Sequence, residues 1–137
     1  MAQARVLTTW GKNVYVKIPV TNTSAEPMTA LIKDLSGDGV QVNVTALMTV
    51  RQVEEVAGAL AGGAPSNISV FAGRVADTGR DPIPLMRDAL AAMAGAPSAE
   101  LIWASPREVL NIAQAEEIGC HIITVTHDLL GKLHLLG

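Results

Sequence analysis

Cysteine occurs once in the chain, at position 120, which excludes an internal disulfide framework and any metal box built from several cysteines. Aromatic residues are almost as scarce. One tyrosine, one phenylalanine and two tryptophans leave the core to be assembled from Val, Ile, Leu and Ala. There is no cluster of Lys and Arg and the net charge is −3, so the basic face that a nucleic-acid backbone requires is missing, and any phosphate recognised should be a small one. No apolar run reaches the ~20 residues that cross a bilayer. The N-terminal Met1-Ala2-Gln3-Ala4-Arg5 also lacks the basic-then-apolar order of a secretory signal. These absences point to a cytoplasmic protein without membrane or nucleic-acid partners. His121, His127 and His134 have no metal-ligand spacing, and no Gly-rich phosphate loop opens the first helix, which disfavours both a metal site and a flavodoxin-like nucleotide domain.

What is present is an α/β pattern. Nearly half the residues are apolar and only 17% are charged, the balance expected of a sheet buried under helices. Short β-branched runs at Val14–Val20, Val40–Leu47, Ile68–Gly73, Leu101–Ser105 and His121–Thr126 read as strands, each followed by a helix-like segment. Thr49 with Gln52 forms a capping box before Val50, Val53, Val56 and Leu60. Ser105-Pro106-Arg107-Glu108 reads as a second one, and Asp81-Pro82 as a third helix start. The turns Gly37-Asp38-Gly39, Gly62-Gly63-Ala64-Pro65 and Gly95-Ala96-Pro97 separate helices from the next strand, and no interdomain linker is visible. Such alternation implies βαβ units and a parallel sheet, either a barrel or an open doubly wound sheet.

Strand parity separates the two. Val14, Val16 and Ile18 share one face of the first strand, and Tyr15 and Lys17 the other; Val40, Val42 and Val44 likewise oppose Gln41, Asn43 and Thr45. An open sheet covered on both sides should be apolar on both. A barrel has an apolar outer face and an interior whose C-terminal mouth holds polar side chains, which gathers Lys17, Asn43, Thr45, Ser69 and Ser105 around one site. Each has a plainer reading. Lys17 could guard an edge strand, Ser105 could be a helix N-cap, and Asn43 and Thr45 could satisfy nearby backbone groups.

The strand Val14-Tyr15-Val16-Lys17-Ile18-Pro19-Val20-Thr21 resembles the lysine-bearing fourth strand of the transaldolase and fructose-6-phosphate aldolase family. In the family's order follow Asn43-Val44-Thr45, similar to its fifth-strand Asn-x-Thr, then Ser69-Val70-Phe71-Ala72-Gly73-Arg74 and Ala104-Ser105-Pro106-Arg107, which resemble its sixth and seventh strands. The resemblance implies a (β/α)8-barrel of which this chain carries about strands 4 to 8, residues 1–137 forming a single partial domain without strands 1 to 3 or the end of the last helix. It implies Lys17 as the Schiff-base lysine and Thr45 as holder of a proton-relaying water. Asn43, Ser69 and Phe71 would contact the substrate, and Arg74, Ser105 and Arg107 its terminal phosphate. No metal or other cofactor is then needed.

The implied reaction moves a three-carbon ketol unit from a ketose phosphate of the fructose 6-phosphate type to an aldose phosphate. The alternatives are fructose-6-phosphate aldolase activity, or a non-catalytic sugar-phosphate-binding or interaction fragment. Phe71, where the aldolase-like branch of the family has tyrosine, favours transfer. The family's acid/base carboxylates lie on strands 1 and 3, and Asp77, Asp81 and Asp128 read as loop or helix-start residues instead. The natural protein is therefore expected to be longer, and a five-stranded arc with two open edges is expected to form a homo-oligomer or to associate through those edges.

Overall fold

The computed structural model describes residues 1–137. Its centre is a five-stranded, wholly parallel sheet in the order β1-β2-β3-β4-β5, with β1 Val16–Pro19, β2 Val42–Leu47, β3 Ser66–Val70, β4 Ala99–Trp103 and β5 Ile122–Ile123. The helices are α1 Ala2–Thr8, α2 Thr29–Gly37, α3 Val50–Leu60, α4 Ala72–Ala76, α5 Pro82–Ala92, α6 Leu110–Glu117 and α7 His127–Leu130. Consecutive strands are neighbours, so every crossover steps one place along the sheet, as an arc of a barrel does and as a doubly wound sheet, with its reversal of strand order, does not.

The core lies between the sheet and α2, α3 and α5. Val42, Val44, Ile68, Val70, Leu101 and Trp103 face it from the strands, against Ile32, Leu35, Val53, Val56 and Met86 from the helices. The opposite face carries Lys17 and Glu100, both exposed, with Asn43 and Thr45 between. The asymmetry read from strand parity is thus the asymmetry of the molecule.

Local signals account for several element ends. Thr49 closes the capping box that starts α3: its Oγ1 accepts from Gln52 N at 3.2 Å, and Gln52 Oε1 accepts from Thr49 N at 3.2 Å and Met48 N at 2.8 Å. Asp81 caps α5 by accepting from Ile83 N at 2.9 Å, with Pro82 at the first helical position, where its missing N–H costs nothing.

All five strands differ from expectation at one end or both: β1 spans only Val16–Pro19, β2 starts at Val42, and β4 lies two residues earlier, at Ala99–Trp103. The third strand begins at Ser66 and ends at Val70, because the chain turns at Phe71 into the short α4. The fifth strand shrinks to two residues, and His121, expected in it, instead uses its ring: Nδ1 accepts from Leu101 N at 3.0 Å, satisfying a β4 amide. Ser105 caps no helix. It has a left-handed φ of 59°, and α6 begins only at Leu110.

Candidate active site

One row of the polar face is set by register. Lys17 pairs with Asn43, Asn43 with Asn67, and Asn67 with Glu100 across β1 to β4. Adjacent strands lie about 4.8 Å apart, so the Lys17 and Asn43 side chains leave neighbouring strands in the same direction. Lys17 is exposed between two buried residues, Val16 and Ile18. Asn43 is engaged on its other side: its Oδ1 accepts from Ser69 Oγ at 2.7 Å. With the oxygen occupied, the amide nitrogen of Asn43 keeps both of its hydrogens for another partner. Lys17, Asn43 and Ser69 therefore form a continuous polar strip over three strands.

Thr45 lies two residues beyond Asn43, just before an irregularity in β2. The register with β3 slips by one residue between Val44 and Leu47, and Ala46 has a φ of 67°. Such a bulge keeps both Val44 and Leu47 in the core while twisting the strand near its C-terminal end, where bulges re-aim side chains. The Thr45 Oγ1 is buried and has no hydrogen-bond partner within the chain. Asn67 Oδ1 is in the same condition. Asn67 escaped the reading of the sequence because the third strand was expected to begin at Ile68; parity from the true start at Ser66 places it with Ser69.

The second group lies beyond the C-terminal ends of β3 and β4. Gly73 N donates to Ala104 O at 3.2 Å, holding α4 against the loop that carries Ser105. A Cβ on Gly73 would stand 1.5 Å from the Ser105 carbonyl oxygen, so no other residue fits. This packing also explains why Ser105-Pro106-Arg107-Glu108 is not a capping box. Ser105 is held in the left-handed region, and the buried Asn111 supplies the acceptor instead, its Oδ1 taking Arg107 N at 2.8 Å and Glu108 N at 3.2 Å. The helix N-terminus expected directly behind Ser105 is thereby displaced to Leu110. A cavity of about 350 Å³ opens here, lined by Ser105, Pro106, Arg107, Thr124, Val125 and Thr126. Its two threonine hydroxyls were not singled out from the sequence, since the last strand carried no motif.

Arg107 does not point freely into this space. Its Nε donates to Asp77 Oδ1 at 3.0 Å and its Nη2 to Oδ2, a two-point guanidinium–carboxylate pair. Asp77 follows the last residue of α4, three residues after Arg74. The hydrogen bond from Arg107 holds the Asp77 carboxyl below the usual carboxylate range, desolvation opposes this, and the charges of Arg107 and Arg74 reinforce it. Arg107 thus engages a carboxylate that the sequence presented as an ordinary loop residue, while Arg74 acts on it through its charge alone, without a hydrogen bond or ion pair. Phe71, at the turn into α4, is half-buried and donates its backbone N–H to Leu47 O at 2.8 Å.

The largest cavity, about 500 Å³, lies elsewhere, beside α1 and α2, and is lined by Arg5, Lys33, Asp34 and Asp38 among others. Arg5 and Asp38 there pair at 2.6 Å, and neither this cavity nor the strand-end one is lined by Lys17, Asn43 or Ser69. No three His, Cys, Asp or Glu side chains come together as a metal-ligating cluster.

Comparison with known proteins agrees with the family that the sequence resembles. The family model described as transaldolase/fructose-6-phosphate aldolase matches residues 1–137. A protein named probable transaldolase from Dehalococcoides mccartyi is 37% identical over 134 residues, covering 97% of this chain and 58% of that protein. Probable transaldolase 2 of Listeria monocytogenes is 35% identical over 133 residues, covering 96% of this chain and 57% of the relative. A probable transaldolase from Methanococcus maripaludis is 34% identical over 132 residues, with 96% of this chain and 58% of that protein covered. The chain therefore spans somewhat more than half the length of these relatives. A match along the whole chain, together with the parallel sheet and its polar strip, establishes that the chain belongs to the transaldolase/fructose-6-phosphate aldolase family.

Proposed function

We propose that this chain supplies strands 4 to 8 of a (β/α)8-barrel transaldolase, as one partial domain carrying the Schiff-base lysine and the phosphate site. The observation that carries the reading is the pairing of Lys17 with Asn43, itself bonded to Ser69: a lone lysine on a strand backed by ordered polar groups. A neutral Lys17 Nζ attacks the C2 carbonyl of a ketose phosphate, and loss of water leaves an iminium. A base takes the proton of the C4 hydroxyl, the C3–C4 bond breaks, and its electrons move into the iminium to form an enamine as an aldose phosphate departs. The enamine then adds to an acceptor aldose phosphate, and water releases the new ketose from Lys17.

The other groups have roles that fit their surroundings. The free amide hydrogens of Asn43 suit a substrate hydroxyl, Ser69 stands beside it, Phe71 would meet the substrate from the turn into α4, and the unpartnered Thr45 Oγ1 suits a water that relays protons. Arg74, Ser105 and Arg107 would bind the terminal phosphate, guanidinium planes matching phosphate oxygens with paired hydrogen bonds. A second reading, a non-catalytic sugar-phosphate-binding segment, draws on one observation. Glu100 is the one carboxylate within the five strands, and it lies toward the start of β4 rather than near the C-terminal ends. A missing general acid/base typically slows such chemistry by about 10²- to 10⁴-fold. Transaldolase activity then needs carboxylates from outside these residues.

The test is reductive trapping. Fructose 6-phosphate with borohydride should add a covalent adduct to Lys17, found by peptide mass spectrometry and lost in Lys17→Met. A folded chain that never acquires the adduct would sink the Schiff-base reading.

A further inference from the structure

Asp77 has no task in the chemistry above, yet it takes up the hydrogen-bonding edge of Arg107. The pair is two-pointed, and Arg74 sits one helical turn before Asp77 on α4. Both side chains of the pair are close to half exposed, at 43% for Arg107 and 46% for Asp77, so nothing buries or locks it. An exposed ion pair is weak, and it exchanges readily for a better anion.

We propose that Asp77 is an internal latch on the anion site, its carboxylate occupying Arg107 until a phosphate dianion displaces it. This rests on the phosphate-binding part of the function proposed above. A tethered competitor lowers the affinity of every anion by the same factor. Only an anion that gains strongly from both arginines then fills the site at ordinary concentrations. A carboxylate from solution has no more charge than Asp77 and lacks its tether, so it loses the competition; a dianionic phosphate has twice the charge and three oxygens to share between Arg74 and Arg107. Displaced Asp77 can swing outward, because it sits at the end of α4 with one face in water.

The latch predicts a gain of binding on mutation, which damage to the fold does not produce. Inorganic phosphate, titrated calorimetrically into the chain, should bind Asp77→Asn about fivefold more tightly than the wild type, the factor corresponding to the loss of an exposed ion pair. Asp77→Glu, which retains the charge, should stay near the wild type. Unchanged or weaker phosphate binding by Asp77→Asn overturns the proposal, since a residue that merely orients Arg107 would give that result. Should Asp77→Asn fail to fold, the wild type still decides the matter. Phosphate should shift the Arg107 Nε–H resonance as its bond to Asp77 is lost, and a resonance unmoved at high phosphate refutes the latch. Dihydroxyacetone, a ketone without phosphate, tests Lys17 separately by borohydride trapping. An adduct with it, alongside unaltered phosphate affinity in Asp77→Asn, leaves the Schiff-base chemistry standing and removes only the latch.

Discussion

At the scale of single residues, environment separates groups that look alike in the sequence. Arg74 and Arg107 were expected to act together on a phosphate, and in the fold Arg107 pairs with Asp77, a residue thirty positions away that no local pattern connects to it. Cys120 shows the same dependence. Burial pushes its thiol pKa up, partly offset by hydrogen bonding with backbone groups of Ile122, Trp103 and His121, and its Sγ lies 3.4 Å from the Leu101 and Ile122 carbonyl oxygens. A thiol pKa raised on folding means that the native state favours the protonated form. That contribution to stability is complete below the unfolded value of about 8.5 and is lost as the pH rises through the higher folded value. Alkylation by iodoacetamide at pH 8 should therefore be slower in the native chain than in urea, because the thiolate is the reacting species. Equal rates would show that the thiol is not sheltered.

At the scale of elements, helix starts that depend on neighbouring residues alone were legible, and those that depend on tertiary contacts were not. Thr49 and Gln52 satisfy each other's backbone within four residues, so α3 starts where the residue order says it should. Thr49→Ala removes the acceptor for Gln52 N and should cost about 1 kcal/mol, read as a lower urea midpoint at unchanged m-value; a midpoint that does not move would mean that packing alone sets this end of α3. Ser105 to Glu108 has the same apparent pattern and fails. Its serine is held in a left-handed conformation against Gly73, and the competing acceptor, Asn111, lies a full turn later. The bulge at Ala46 was equally invisible, since Val44 and Leu47 satisfy an apolar pattern only if one residue is skipped. It matters to the candidate site because it adjoins Thr45.

At the scale of the whole molecule, the sheet has two end strands, β1 of four residues and β5 of two, and large apolar side chains remain exposed, among them Trp10 at 73% and Leu135 at 69%. Unpaired strand edges beside exposed apolar groups favour association. Sedimentation over about a hundredfold range of concentration should show a mass rising above 14.3 kDa. A mass constant at that value would mean that the edges are adequately protected, β1 by Pro19 and Lys17 and β5 by its shortness.

The division between what the residues alone determined and what required the fold follows from range. Period-two alternation placed Lys17 opposite Val16 and Ile18, and Asn43 opposite Val42 and Val44, because strand geometry is imposed by the backbone at each successive residue; the ordered motifs were enough to indicate the family. Contacts between segments far apart in the chain came only with the tertiary structure. The Ser69–Asn43 bond, the Asp77–Arg107 pair and the approach of Ser105 to Gly73 each join residues 26 to 32 positions apart, and their geometry depends on how far β2, β3 and β4 run before the chain turns. Local alternation put Lys17 on the polar face, and the packing of α4 against the loop after β4 decided what Arg107 holds.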